Sequence, residues 1–356
     1  MSKKEFGVFL PIAKGGWIIS KNTPLLDASY KQNREAAILA DQIDLDFIMS
    51  MGKWRGFGGE TDHWGCSLES VTMMAGIAEV THRAKLIATV HAGLHNPAVT
   101  AKMIATLDHI SQGRAGLNIV SGSFRDEFEQ MGEWDGSLDH DQRYAMTEEW
   151  TQVIKRLWCE KQVNYEGTYF HLKQCVSEPK PLSLPRPYLV CAGQSEHGLR
   201  FSVRHADVCF IGGKDVAETR NISLTAKRLA AEYHTTTKTF CMCTVICAET
   251  DAYAETLAQF YRQGLDVEAV KNMMRSFGIN VNAKNADGKS NAMVARAQNA
   301  FMTHTAIGTP ATCYKQLADL IRTCELDGVM LIFPDYIQGL TVFGDQILPK
   351  LREEFA

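Results

Sequence analysis

The most constraining feature of the sequence is a short apolar run followed by a helical stretch, repeated eight times. Phe6–Pro11, Phe47–Met51, Lys85–His91, Gly116–Ser121, Tyr188–Ala192, Ala206–Ile211, Phe240–Ala248 and Gly328–Phe333 read as strands. Helices are expected over Ser29–Asp41, Leu68–Thr81, Pro97–Ile110 and Asp139–Trp158, then from Glu196, and over Ile222–Tyr233, Asp251–Gln263, Pro310–Thr323 and Gln338–Glu353. Strands that are apolar on both faces and separated by helices imply a parallel sheet with covered faces. Right-handed crossovers close eight such units into a (β/α)8 TIM barrel, an α/β fold. No Gly-x-Gly-x-x-Gly follows the first strand, which counts against the runner-up, an open dinucleotide-binding sheet.

A barrel of this kind takes about 250 residues, so a single 356-residue domain leaves roughly 100 for insertions. Three are visible: residues 52–67 after the second strand, a hairpin-like alternation over 163–172, and 267–309. The last holds the polar run Asn280–Asn291 and is expected to act as a lid over a strand end.

The formal net charge of −4 provides no basic field for nucleic acid or an anionic membrane. No apolar run reaches the 18–20 or so residues of a bilayer span, and no secretion signal opens the chain, so a cytoplasmic location is expected. The ten cysteines include no CxxC pair and no zinc-like spacing with histidine. Cys241, Cys243 and Cys247 share one strand and, at period two, one face. Core packing is the favoured reading over a metal cluster, and no metal is indicated.

In a barrel the chemistry lies at the C-terminal strand ends. The polar residues there are Lys53 and Arg55, Thr89 and His91, Asn118 and Ser121, Gln194 and Ser195, Gly212 to Lys214, and Asp335. They form no Ser-His-Asp set and no carboxylate pair, so a bound group must supply much of the chemistry. Several have plain structural readings. Ser195 suits a helix N-cap, Arg143 a solvated helix start, Glu127 a capping box, Lys53 a surface charge and His91 a satisfied structural group. Asn118 is harder to dismiss, because an unpaired buried amide costs about 1–3 kcal/mol.

These segments resemble the luciferase-like flavin monooxygenases over nearly the whole chain. The Asp108-His-Ile-Ser111 stretch with Gly113-Arg114 marks the superfamily. Arg55-Gly-Phe-Gly-Gly59, Glu129-Gln-Met-Gly132 and Asn118-Ile-Val-Ser-Gly122 are similar to the pyrimidine ring-opening branch. The resemblance implies reduced FMN supplied by a separate NAD(P)H-dependent flavin reductase and O2 as cosubstrate. It further implies a flavin peroxide, a small-molecule substrate such as uracil or a related ring amide, and a homodimer or homotetramer. Carried over by position, Gly52, Lys53, Asn118, Glu127, Arg143, Tyr144 and Ser195 would bind FMN. Thr89 and Asn118 would line the oxygen site as the catalytic pair. Lys53, His91, Ser123 and Met49 would face substrate.

The chain departs from that branch at Ser123, where a Trp is expected, and at His91, where a small or apolar residue is expected. Met49 replaces a Leu with little change of volume. Loss of the indole implies a roomier or more polar pocket, and His91 could read a ring nitrogen or shuttle a proton. C–S cleavage of a sulfone or sulfonate, a deazaflavin dehydrogenase and a non-catalytic flavin-binding barrel are the competing readings.

Overall fold

The structure, a computed structural model, describes residues 3–122, 124–193, 195–276 and 299–356. Its strands and helices are β1 (Glu5–Phe9), α1 (Tyr30–Gln42), β2 (Phe47–Met49), α2 (Ser70–Ala78), β3 (Lys85–His91), α3 (Pro97–Ile110) and β4 (Ala115–Val120). There follow α4 (Arg125–Glu129), α5 (His140–Cys159), the hairpin β5 (Val163–Glu166) and β6 (His171–Cys175), β7 (Tyr188–Cys191), α6 (Glu196–His205), β8 (Val208–Ile211) and α7 (Val216–Glu232). The last part carries β9 (Lys238–Cys247), α8 (Asp251–Gln263), α9 (Val267–Ser276), β10 (His304–Gly308), α10 (Pro310–Cys324), β11 (Gly328–Ile332), α11 (Tyr336–Val342) and α12 (Leu348–Glu354).

All eight expected strands are present, and they close. The sheet runs β11-β1-β2-β3-β4-β7-β8 and β9 pairs with both β8 and β11, every pairing parallel. Every residue of β1, β2, β8 and β11 is buried, as a helix-covered parallel barrel requires. Helix starts follow the capping rules. Ser29 accepts from the Gln32 amide, Asn96 from Ala98 and Val99, and Asp139 forms a capping box with Gln142.

The barrel interior is filled by side chains that reach across it. Phe47 of β2, Phe210 of β8 and Phe240 of β9 lie with ring centroids 5.4–6.2 Å apart, although two strands separate β2 from β9 around the wall. Gly7 makes room for them, because a Cβ there would sit 2.4 Å from the Phe47 ring.

Three elements depart from the expectation. The segment 267–309 opens with a helix that was not expected, α9, whose Ala269, Val270, Met273 and Met274 are buried, and ends in β10, a ninth strand added to the far half of β9. The Asp266 carboxylate accepts from the Thr61 amide and hydroxyl and from the Ala269 amide, at 2.7, 2.8 and 3.0 Å, which ties α9 to the 52–67 insertion. The lid expected over 267–309 includes residues 277–298, which lie outside the described residues. The five-residue helix α4 has no side-chain N-cap and leaves little sequence signal.

The opposite, N-terminal end of the barrel is tied by ionic side chains to backbone. Asp41 accepts the amides of His82, Arg83 and Ala84, each at 2.8 Å. Arg114 donates to the carbonyls of Ala78, Thr81, Ala84 and Ser111. Asp108 accepts from Ala115 and Ser183.

Gly7→Val would drive a branched side chain into the Phe47 ring. It is expected to cost about 1–3 kcal/mol, read as a lowered midpoint in denaturant unfolding. An unchanged midpoint would mean that the aromatic layer is not close-packed.

Candidate active site

Above the aromatic layer, the C-terminal strand ends enclose a cavity of about 280 Å³. Met49, Gly52, Lys53, Thr89, His91, Asn118 and Glu127 all line it, so seven of the expected site residues converge. Thr89 and Asn118 are register partners on β3 and β4. Asn118 Nδ2 donates to Thr89 Oγ1 at 3.0 Å, and that hydroxyl donates to the Ser50 carbonyl at 2.5 Å. The Thr89 amide donates to Ser70 Oγ, which is bonded in turn to Ser50 Oγ at 2.6 Å. The amide plane of Asn118 is thereby fixed, while its Oδ1 is buried with no partner among the described residues.

Lys53 is not a surface charge. Its side chain is 6% exposed and Nζ lies 3.4 Å from the equally buried Glu127 carboxylate. Nζ also sits over the rings of Phe124, Phe57 and Trp64, 4.0, 4.5 and 5.8 Å from their centroids, a cation–π environment. Burial pushes the Lys53 ammonium down to about 8, against the pull of Glu127. Glu127 caps no helix. Its Oε1 instead accepts the amides of Trp54 (2.5 Å) and Arg55 (3.3 Å), fixing the loop that presents Lys53.

His91 is the last residue of β3. It is buried, its Nδ1 has no partner among the described residues, and burial, with Lys53 nearby, pushes it down to about 3. At neutral pH it is therefore a neutral imidazole, which can recognise a donor or an acceptor. That argues against the proton-shuttle alternative.

Position 123 lies outside the described residues. Its neighbour Phe124 places a ring in the cavity wall, beside Phe57 at 5.2 Å. Trp17 and Trp64 add two indoles, 5.1 Å apart, and Phe9 stacks on Trp17 at 4.0 Å. The wall on this side of the cavity is thus aromatic. Trp64 holds a positive φ of 58°, uncommon for a bulky residue, and its indole N–H donates to the Gly16 carbonyl at 2.6 Å. Sequence reasoning missed this aromatic cluster; its members come from four separated segments, and only the structure joins them.

Arg143, Tyr144 and Ser195 lie outside the cavity lining, and of these Tyr144 and Ser195 are brought into contact. The Tyr144 hydroxyl bonds to Ser121 and Ser195, and burial raises its pKa. Ser195 caps α6, accepting from the Gly198 amide at 3.1 Å. Gly193 and Gly198 approach so closely that a Cβ on either would meet the other's backbone under 3.0 Å away, and one on Gly198 would lie 2.4 Å from the Tyr144 hydroxyl. Arg143 donates to the Leu138 carbonyl and lies over the Trp134 ring. A glycine-flanked helix start with a tyrosine hydroxyl bonded to its N-cap suits a phosphate. The orphaned Asn118 and His91 atoms suit a polar ring in the cavity. The residues present therefore fit a flavin mononucleotide. Among the described residues no cluster could hold a metal ion, and no helix is long and apolar enough to cross a membrane.

Lys53 allows a check on this burial. Between about 8 and 10.5 the unfolded chain holds a proton on Lys53 that the native chain has released, so this group's contribution to stability rises with pH there and is flat below. The stability of the wild type relative to Lys53→Met is expected to rise by about 3 kcal/mol across that window, measured by denaturant unfolding at each pH. A flat difference would place the ammonium in water.

Comparison with known proteins agrees with this fold. The sequence profile of the luciferase-like monooxygenases matches residues 4–324. The pyrimidine monooxygenase RutA of Variovorax paradoxus is 36% identical, covering 97% of this chain and 94% of its own; that of Acinetobacter baylyi is 35% identical, covering 98% and 94%. Among solved structures, a riboflavin lyase superposes with a TM-score of 0.86 at 20% identity, covering 99% of this chain and 92% of its own. A long-chain alkane monooxygenase does so with 0.85 at 18%, with the same coverage. The chain belongs to the luciferase-like monooxygenase family and is a flavin-dependent monooxygenase.

Proposed function

We propose that the chain is the oxygenase of a two-component system. A separate NAD(P)H-dependent reductase supplies reduced FMN, and the reaction opens a C–N bond of an N-heterocyclic ring amide such as uracil or a relative. The observation that carries this reading is the fixed Asn118–Thr89 pair inside a cavity in which, among the described residues, Asn118 Oδ1 has no partner and the lining offers no serine or cysteine nucleophile. The relatives named pyrimidine monooxygenases support the ring-amide class.

Arg143, the Tyr144 hydroxyl and the start of α6 at Ser195 would hold the FMN phosphate. Gly52 would let the flavin ring approach, since a Cβ there would lie 3.2 Å from the Thr89 carbonyl and 3.3 Å from the His91 ring. Bound reduced flavin would supply the electrons and the activated oxygen. Asn118 and Thr89 would orient O2 beside it without adding a charge that needs neutralising. Lys53, held by Glu127, would hydrogen-bond a substrate carbonyl and stabilise negative charge developing on that oxygen. Neutral His91 would meet a ring N–H or ring nitrogen, with Met49 and residue 123 bounding the substrate side. The aromatic wall excludes water, which strengthens each of these polar contacts.

The test is product formation from uracil and related rings with FMN, NADH, a generic flavin reductase and 18O2, followed by mass spectrometry. One labelled, ring-opened product that requires the chain is expected. If every ring amide is returned unchanged, the substrate class is wrong. Asn118→Ala should lower product formation by about a hundredfold or more while FMN binding, read by fluorescence quenching, falls far less. Full activity in that variant would remove Asn118 from the chemistry.

A further inference from the structure

A second cavity, of about 610 Å³, opens between the ends of β9 and β11 and the helices α8 and α11, and shares no lining residue with the first. Its wall includes Cys247, the last residue of β9, which is half-buried. Cys247 is the register partner of Gly308 at the end of β10. Four residues beyond the start of α10's N-cap, Cys313 places its Sγ 3.5 Å from the Gly308 carbonyl and 3.9 Å from that of Ile246. That brings the two sulfurs together, and the Cys313 thiol hydrogen-bonds Cys247.

We propose that Cys247 and Cys313 are a peroxide-reactive thiol pair, in which hydrogen peroxide oxidises Cys247 and Cys313 resolves it to a disulfide. Their roles differ because their settings differ. Cys247 opens on the cavity, whereas Cys313 is buried behind it. The hydrogen bond from Cys313 favours the Cys247 thiolate and lowers its pKa, while it raises that of Cys313. In the first step the Cys247 thiolate attacks one peroxide oxygen, the O–O bond breaks, and the departing hydroxide takes a proton to become water. In the second, Cys313 sulfur attacks the Cys247 sulfenic sulfur, the S–O bond breaks, and a second water leaves with the Cys313 proton. The pair loses two electrons and the peroxide gains them. The bond formed would staple the first turn of α10 to the end of β9.

The remaining thiols serve as controls. Cys66 and Cys159 are exposed, and a reaction governed by exposure alone would strike them first. The experiment treats the full-length chain with a small excess of hydrogen peroxide in the presence of dimedone, then maps its peptides by mass spectrometry. The wild type is expected to yield a 247–313 disulfide, two hydrogens lighter and reversed by dithiothreitol. In Cys313→Ser the sulfenic acid should persist, and dimedone should mark Cys247 ahead of Cys66 and Cys159. In Cys247→Ser, Cys313 should stay unmodified. Labelling of Cys66 or Cys159 while 247 and 313 remain free thiols would overturn the proposal, as would a disulfide joining either to another cysteine. The wild-type map decides the matter even where a variant fails to fold.

Discussion

The site depends on one buried carboxylate. Glu127 takes two backbone amides and an ammonium from three consecutive residues of another loop, Lys53, Trp54 and Arg55. Burying both charges costs several kcal/mol per ion before their attraction is counted. The arrangement offsets this by pairing each charge with more than its opposite. The carboxylate has fixed N–H dipoles, and the ammonium has the faces of Phe57 and Phe124. The result is a cation held at a set place in an apolar cavity. Water would otherwise screen it, and a surface lysine would wander. Trp64, in its uncommon backbone conformation, closes the same enclosure from the far side of the insertion.

The barrel separates this cost from the means of bearing it. At the N-terminal end, Asp41, Asp108 and Arg114 are tied to backbone partners from the turns that lead into β3 and β4. At the C-terminal end, Asn118 Oδ1 and His91 Nδ1 have no partner among the described residues. The superfamily segment Asp108 to Arg114 therefore belongs to the latch between α3 and β4 and touches none of the chemistry. Its presence identifies the fold and leaves the reaction open.

The strands and most helices were legible because parallel barrel strands are apolar on both faces and their helices carry explicit caps. What was not legible had weak local signals. The helix α4 is one turn with no side-chain cap, yet it carries Glu127. The helix α9 and strand β10 lie at the two ends of a segment whose polar middle dominated the reading, although Ala269, Met273 and Met274 mark a buried face. Thr89 and Asn118 could be named from their strand ends and the family resemblance. Their mutual hydrogen bond follows from the β3–β4 register, which periodicity alone does not fix. The aromatic enclosure was hidden for a similar reason: Phe9, Trp17, Phe57, Trp64 and Phe124 meet only because the 52–67 insertion folds back on the first strand.

His91 shows how the departures from the ring-opening branch bear on specificity. A histidine at a strand end usually invites a proton-transfer role, but here burial and the ammonium nearby keep it uncharged throughout the physiological range. An imidazole that cannot charge can still choose a tautomer, and each tautomer presents a different edge to a ligand. Together with Lys53, which only donates while protonated, and Asn118 Oδ1, which only accepts, the cavity offers one fixed donor, one fixed acceptor and one adaptable group. Any occupant without partners for these groups, cofactor or substrate, would leave the Asn118 acceptor or the His91 nitrogen buried and unpaired, at about 1–3 kcal/mol for each group. The polar edge of the cavity, more than its volume, therefore sets the cost of any occupant that cannot pair with it.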